Sequence, residues 1–150
     1  MNKNPIPKFL LLLISYILFL TSLNADFIRD GSKEVVLDTK TNLMWQDNND
    51  TKTIKKNWSD AIDYCENLTL GGYSDWYLPN INELRSLADR SRYNPAIDPA
   101  FKNVVSYRYW SSTTDVGNTS NAWNVYFLGG DDGWDDKSDT YYVRCVRDEK

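Results

Sequence analysis

The chain of 150 residues contains no histidine and only two cysteines. Without an imidazole it can form neither a Ser-His-Asp triad nor a Cys-His pair for nucleophilic catalysis. A zinc site is also disfavoured, because structural zinc usually takes four ligands and two cysteines supply only half of them. The missing histidine therefore argues against the most familiar hydrolytic and zinc-dependent classes of function.

Long apolar runs are scarce as well, and the one present lies near the N-terminus. Residues 9–20 read FLLLLISYILFL, with Lys3 and Lys8 before them and a polar stretch ending at Ala25 after them. About 12 residues are too few to cross a ~30 Å hydrocarbon core comfortably. The order of basic, apolar and polar segments predicts a signal peptide at residues 1–25, cleaved after Ala25, with an uncleaved anchor as the alternative. Residues 26–150 would then be one domain, periplasmic or secreted to the cell surface.

Positive charge is in the minority, with 17 Lys and Arg against 21 Asp and Glu, for a net charge of −4. Cleavage after Ala25 would remove two lysines and no acidic residue, leaving a net charge of −6. Such a domain is a poor partner for nucleic acid, whose binding depends on neutralising phosphates. Disorder is equally unexpected, because all six tryptophans and nine of the ten tyrosines fall within residues 26–150.

Both cysteines, Cys65 and Cys145, follow the predicted signal peptide. In an oxidising compartment two cysteines in a small domain are most simply explained by a disulfide bond between them. Closing so long a loop would contribute on the order of 4.5 kcal/mol in the chain-entropy description. The bond would tie an early helix to the last strand.

Two segments have the apolar spacing of amphipathic helices. The first follows Asn57, a residue that favours the N-cap position, and is stopped by Gly71-Gly72. The second follows Asn80, which with Glu83 is typical of a capping box. Their buried faces are predicted to contain Trp58, Ala61, Ile62, Cys65 and Leu68 in the first helix and Ile81, Leu84, Leu87 and Ala88 in the second.

Strands are predicted on both sides of the helices along the chain. Residues 27–38 are typical of a hairpin and residues 43–45 of a strand, whereas residues 47–57 are expected to form a polar loop. Strand patterns then occupy residues 107–114, 122–128 and 141–147. We therefore predict an α+β fold with two helices packed on a mainly antiparallel sheet and closed by one disulfide.

The segment from Gly129 to Asp139 is rich in aspartate and is predicted to form an acidic loop. Calcium takes oxygen ligands from loops of this kind, but the spacing matches no calcium-loop signature, so a solvated loop without a cofactor is favoured. Trp134 stands inside the loop, whereas the other mature tryptophans lie in apolar patterns and are expected in the core. An exposed aromatic beside acidic side chains is typical of sugar or protein recognition. The alternative is that Trp134 folds back over the sheet edge.

Six segments of the chain occur in an order that is characteristic of a known family. They read DTKTNLMWQ (38–46), WSDAIDYC (58–65), LGGYSDWYLP (70–79), NELRSL (82–87), YWSST (109–113) and YVRCVR (142–147). Together they resemble the Lcl C-terminal domain family, the domain that ends bacterial collagen-like adhesins, over roughly residues 28–147. The resemblance implies a C-type-lectin-like fold, related to that of formylglycine-generating enzymes. It also implies an extracytoplasmic binding module, which in adhesins recognises sulfated polysaccharides.

The chain departs from that pattern in ways that concern the ligand. It has no collagen-like repeat, and its acidic balance opposes polyanionic glycans. The calcium motifs of animal lectins are incomplete at Leu78-Pro79-Asn80 and at Trp123-Asn124-Val125. The enzymatic relatives use an active-site cysteine pair, whereas the two cysteines here are predicted to form a structural bond. The resemblance therefore predicts the fold and leaves the ligand open.

In lectin-like folds the ligand face tends to form from the strand and loops just before the final strand. Mapped onto this chain, that face is the outward side of residues 122–128 together with residues 129–139. We expect ligand binding by Asn124, Tyr126, Asp131, Trp134 and Asp136, and no catalytic residue. The expected function is an exported, non-enzymatic, adhesin-like module for a glycan or a protein surface. The alternatives are a structural envelope accessory that acts by protein association and a hydrolase that uses carboxylates.

Overall fold

The computed structural model describes residues 26–150, and the predicted signal peptide lies outside the described residues. These residues have an α+β arrangement of three helices and two sheets. In chain order the elements are β1 (Phe27–Asp30), β2 (Val35–Asp38), β3 (Leu43–Gln46), α1 (Asp50–Thr53), β4 (Lys55–Lys56), α2 (Trp58–Glu66), α3 (Ile81–Ser86), β5 (Arg108–Thr114), β6 (Asn121–Tyr126), β7 (Asp131–Asp136), β8 (Tyr141–Tyr142) and β9 (Val146–Asp148).

The strands form two sheets where the sequence predicted one. The first sheet has the order β1-β2-β3-β9 with antiparallel pairs. The second has the order β4-β8-β5-β6-β7, and its pairs are antiparallel except for that between β5 and β8. The predicted final strand, residues 141–147, is divided between them, because β8 joins the second sheet and β9 the first. The C-terminal segment therefore links the two sheets.

Two segments predicted as loops contain regular structure. Residues 47–57 include the short helix α1 and the strand β4. Most of the predicted acidic loop forms β7, which pairs with β6 along its whole length. Aspartate and glycine have low strand propensity, so the sequence of β7 favours a loop when it is read alone. Pairing with the neighbouring strand outweighs that local preference.

The two predicted helices are confirmed together with their caps. Asn57 precedes α2 and its side chain accepts a hydrogen bond of 2.9 Å from the backbone N–H of Asp60. Asn80 and Glu83 form the predicted capping box before α3, with hydrogen bonds of 2.9 and 2.8 Å. Helix α2 ends at Glu66, one residue after Cys65 and before the expected Leu68. Within residues 26–150, no helix is long and apolar enough to cross a membrane.

The hydrophobic core has two parts because consecutive residues of a strand project to opposite faces. In β5, Tyr109 packs with Val125, Phe127 and the apolar side chains of α3. The next residue, Trp110, packs with the apolar face of α2. The two longer helices therefore cover opposite faces of the second sheet.

The disulfide between Cys65 and Cys145 is confirmed, with an S–S distance of 2.09 Å and a Cα–Cα distance of 5.5 Å. Both residues are fully buried in the core beside α2. The bond joins α2 to the residues between β8 and β9, where the chain passes from one sheet to the other.

A buried ion pair fixes the end of β3. The carboxylate of Asp47 lies 3.3 Å from Arg144, and the side chains of both residues are fully buried. Asp47 also lies 2.8 Å from Arg29 and accepts hydrogen bonds from the backbone N–H groups of Lys102 (3.0 Å) and Asn103 (3.1 Å). Asp47 lies outside the helices and strands, as predicted, but it is buried, and its partners hold together the first sheet, the segment before β5 and the C-terminal segment.

Candidate ligand-binding surface

Partly exposed aromatic and cationic side chains gather at one end of the second sheet. We call this set the tyrosine cluster, defined as Lys55 of β4, Tyr107 just before β5, Arg108 at the start of β5, Tyr126 at the end of β6, and Tyr141 and Tyr142 of β8. The ring of Tyr107 is central. Its centroid lies 5.9 Å from that of Tyr126 and 6.2 Å from those of both Tyr141 and Tyr142, in edge-to-face contacts that aromatic pairs prefer.

Strand register places these side chains together. Arg108 and Tyr126 are directly opposite each other across β5 and β6, and Lys55 is opposite Tyr142 across β4 and β8. Directly opposite side chains lie within contact distance on the same face, so each pair shares a face, and the ring of Tyr107 contacts both pairs at the end of the sheet. The cluster is thus assembled from four strands that are distant in sequence, which explains why no short motif marks it.

Arg108 is held in the middle of the cluster by polar partners. Its guanidinium lies 3.4 Å from the carboxylate of Asp135 and donates a hydrogen bond of 3.3 Å to Asn124. The amide of Asn124 donates in turn to Asp135 at 2.9 Å, which closes a triangle. The centre of the guanidinium lies 5.2 Å from the ring centroid of Tyr126 and 6.0 Å from that of Tyr141. The planar donor group is therefore fixed beside two aromatic rings.

The ion pair of Arg108 and Asp135 is accessible to solvent. The side chains of Arg108 and Asp135 are 34% and 29% exposed. An ion pair of this exposure contributes little to folding stability, since water and salt screen it. The ion pair instead fixes the orientation of both groups, with the guanidinium of Arg108 as a hydrogen-bond donor and the carboxylate of Asp135 as an acceptor at the surface.

Lys55 and Tyr141 complete the surface. The ammonium of Lys55 lies 5.0 Å from the ring centroid of Tyr107 and 4.9 Å from that of Tyr142, within the range of cation–π contacts. Burial raises the pKa of Tyr141 to about 12, and the carboxylates of Asp135 and Asp139 add to the effect. The phenol of Tyr141 is protonated at neutral pH, as a phenol of ordinary pKa also is, and it interacts with the carboxylate of Asp135.

The structure brings together three of the five predicted ligand-binding residues. Tyr126 belongs to the tyrosine cluster, and Asp131, which is exposed, lies directly opposite it on β7. Asn124 is on the same face but is fully buried, so the expectation that it faces outward was wrong. The buried side-chain amide of Asn124 instead orients Arg108 and Asp135 through hydrogen bonds to both.

The other two predicted residues lie on the opposite face of β7. Trp134 is opposite Trp123, and Asp136 is opposite Asn121, whereas Asp131 and Asp135 lie on the face that carries Tyr126 and Arg108. Side chains alternate along a strand, so a ligand on the face of Arg108 and Tyr126 does not reach Trp134 or Asp136. Trp134 is 54% exposed. Among the other tryptophans of residues 26–150, Trp45, Trp76 and Trp110 are buried as predicted, while Trp58 and Trp123 are partly buried.

Sequence reasoning missed six residues of this surface, namely Lys55, Tyr107, Arg108, Asp135, Tyr141 and Tyr142. One available signal was the alternation within residues 131–136. Treated as a strand, that segment places Asp131, Gly133 and Asp135 on one face. The grouping of Asp135 with Tyr126 then follows from pairing with β6.

A groove lies along α2, apart from the tyrosine cluster. It is open, has a volume of about 560 Å³, and is lined by five polar side chains, one aromatic ring and one leucine: Lys56, Asp60, Asp63, Tyr64, Asn67, Leu68 and Thr69. The hydroxyl of Tyr64 is already engaged, since it donates to Asp50 and accepts from Gln46, each at 2.9 Å. Burial raises the pKa of this phenol. With one ring and a hydroxyl committed to the protein, the groove offers less for recognition than the tyrosine cluster.

The acidic residues around β7 were considered above as calcium ligands. Within residues 26–150, no group of three acidic or cysteine side chains is arranged to hold a metal ion. Asp132 lies 3.4 Å from Arg90 and 3.8 Å from Arg85, and Asp135 pairs with Arg108. Two of these aspartates therefore face cations of the protein itself.

The segments that resemble the family mostly form contacts that hold the fold together. Arg147 of the last segment makes a two-point ion pair with Asp75 of the third, at 2.7 and 3.2 Å, and its guanidinium lies 3.8 Å from the ring centroid of Tyr73. Both cysteines also lie in quoted segments. By contrast, of the tyrosine cluster only Tyr142 lies in one. The motifs thus describe the scaffold, while the candidate site lies largely outside them.

These features define a disulfide-closed α+β domain with a partly exposed aromatic and charged surface at one end of its second sheet. The Lcl C-terminal domain family matches residues 34–147, which is most of the chain. The chain therefore belongs to this family, as its motifs predicted. It has no significant match among curated proteins.

Proposed function

We propose that this chain is an exported, non-enzymatic binding module that recognises a glycan through the tyrosine cluster. The observation that carries the proposal is the fixed position of Arg108 between two tyrosine rings and the carboxylate of Asp135. Aromatic rings offer faces on which the apolar side of a sugar packs. The oriented donor and acceptor beside them suit the hydroxyls at the sugar's edge.

The acidic balance of the chain favours an uncharged glycan over a polyanion. Arg108 is matched by Asp135, and the chain as a whole carries a net charge of −4. A negative protein repels sulfated polysaccharides at long range. The expected ligand class therefore differs from the polyanions that the family resemblance suggested.

We also propose that the fold is C-type-lectin-like. Family membership supports this, as do the two helices packed on antiparallel-rich sheets. The position of the site agrees with it too, because the hairpin of β6 and β7 precedes the final strands and contributes Tyr126, Asp131 and Asp135.

Export is the third part of the proposal. It is supported by the signal-peptide pattern in residues 1–25 and by a buried disulfide, which persists best in an oxidising compartment. N-terminal sequencing of the protein recovered from the periplasm and the medium tests it. We expect Asp26 as the first residue, and an intact Met1 in those fractions would contradict cleavage after Ala25.

The binding proposal is tested with the chain beginning at Asp26 on a glycan array, with and without a calcium chelator. We expect hits among neutral glycans that chelation leaves unchanged. Hits confined to sulfated glycans would contradict the ligand class. An array without hits, with retention on an envelope protein instead, would favour the structural accessory role, and hydrolysis of a bound glycan would favour the carboxylate hydrolase.

A further inference from the structure

Strand β7 lies at an edge of the second sheet, with β6 on one side and no strand on the other among residues 26–150. An edge strand presents backbone N–H and C=O groups that can pair with an extended segment of another chain. The opposite edge, β4, has two residues, whereas β7 has six. Of the two edges, β7 therefore offers the longer template for an added strand.

The side chains of β7 give this edge a distinctive chemistry. Trp134 lies in the strand and is 54% exposed. Asp131 and Asp136, at the two ends, are exposed as well. Asp132 and Asp135 between them face arginines of the protein, so the uncompensated negative charge lies at the ends of the strand. The edge strand thus presents the exposed side chain of Trp134, with exposed aspartates at its two ends.

This charge pattern distinguishes between possible occupants of the edge. A second copy that paired β7 with β7 would bring aspartates of one chain beside aspartates of the other, and like charges facing each other across strands are destabilising. A segment with Lys or Arg at its ends would instead meet Asp131 on one face and Asp136 on the other. Its apolar side chains would pack on Trp134.

We propose that β7 is a docking edge for an extended, lysine- or arginine-rich segment of a protein partner, which adds a strand beside β7 and covers Trp134. The inference goes beyond the proposed function, since it uses the backbone edge and the face of Trp134 rather than the tyrosine cluster, and it shares only Asp131 with the candidate glycan site. Glycan binding and strand addition can therefore fail independently of each other.

The test uses three terminally blocked peptides of equal length. The first alternates lysine with valine and threonine, the second has glutamate in place of lysine, and the third is the lysine peptide with methylated backbone nitrogens at alternate residues. Binding is measured by fluorescence anisotropy, and protection of the β7 amides by hydrogen exchange. We expect the lysine peptide alone to bind and to protect β7. Equal binding of the methylated peptide would overturn the proposal, because it would show attraction by charge without strand pairing.

Variants on the two sheets provide the matched comparison. Trp134→Ala and the double variant Asp131→Asn/Asp136→Asn should each weaken binding of the lysine peptide by roughly threefold to tenfold, as expected for lost cross-strand pairs. Ile28→Ala removes a side chain that is 48% exposed on β1, an edge strand of the other sheet, and should leave binding unchanged. An equal loss in Ile28→Ala would contradict docking at β7. So would self-association of the protein alone that Trp134→Ala abolishes, because the occupant would then be a second copy.

Discussion

The guanidinium of Arg108 lies 3.4 Å from the carboxylate of Asp135, although the two residues belong to strands separated by β6. The buried amide of Asn124 on β6 bonds to both and fixes their relative position. This relationship defines which face of the hairpin of β6 and β7 carries the candidate site. It also identifies Arg108 as the residue whose chemistry is most specific to that site.

Replacing Arg108 with Lys tests the role of the planar guanidinium group in ligand binding. Lysine keeps the charge but cannot make two parallel hydrogen bonds. We expect the affinity for an array-identified glycan to fall about tenfold, with a change in the free energy of unfolding within about 0.5 kcal/mol, because the ion pair is partly exposed. Arg85→Lys, on the opposite face near Asp132, is the control and should bind as the parent does. Unchanged affinity of Arg108→Lys would remove Arg108 from the site.

The disulfide gives a second prediction. The denatured protein should show no titratable thiol, since both cysteines are in the bond. The Cys65→Ala/Cys145→Ala pair should lower the free energy of unfolding by on the order of 4.5 kcal/mol in the chain-entropy description for a separation of 80 residues, as measured by urea denaturation. Two reactive thiols in the purified protein would contradict both the bond and the case made from it for export.

The buried ion pair gives a third prediction. Asp47→Asn removes the charge that faces Arg144 and Arg29, and leaves the guanidinium of Arg144 buried without its counter-ion. We expect a loss of about 3–5 kcal/mol in urea denaturation. Asp131→Asn, at an exposed position, should change the stability by no more than about 0.5 kcal/mol. A cost below about 1 kcal/mol for Asp47→Asn would show that the pair is replaceable there.

Alkaline pH gives the fourth prediction. Burial raises the pKa of Tyr64, Tyr77, Tyr109 and Tyr141, in the last case from 10.0 to about 12. A group whose pKa is raised by folding stabilises the fold fully below its unfolded pKa, and this stabilisation is lost as the pH rises through the folded value. The free energy of unfolding should therefore fall between pH 10 and pH 12. Denaturation at a series of pH values measures the fall, and Tyr141→Phe should reduce its slope. An unchanged slope in Tyr141→Phe would contradict the raised pKa.

Much of the fold could be predicted from local sequence signals. Asn57 and Asn80 mark the starts of the two longer helices because their side chains bond to backbone N–H groups of the first turn. The apolar face of α2 likewise places Cys65 in the core, where Cys145 reaches it. The helix caps depend on residues that are close in sequence. The disulfide could be predicted because the chain contains only two cysteines.

The remainder depends on contacts between distant segments. The sequence of β7 favours a loop locally, and only its pairing with β6 makes it a strand. That error placed Trp134 and Asp136 in one site with Tyr126. The burial of Asp47 was not predicted, because its partners Arg144, Lys102 and Asn103 lie far along the chain. The tyrosine cluster was missed for the same reason, since it is assembled across four strands.

The central claim is that the tyrosine cluster, and not the face of Trp134, binds the glycan. Isothermal titration of an array-identified glycan tests it most directly with two double variants, Tyr107→Ala/Tyr126→Ala and Trp134→Ala/Asp136→Ala, each shown to be folded by circular dichroism. We expect the first variant to lose binding and the second to keep the affinity of the parent. Retained binding in the first variant with loss in the second would contradict the claim and restore the site predicted around Trp134.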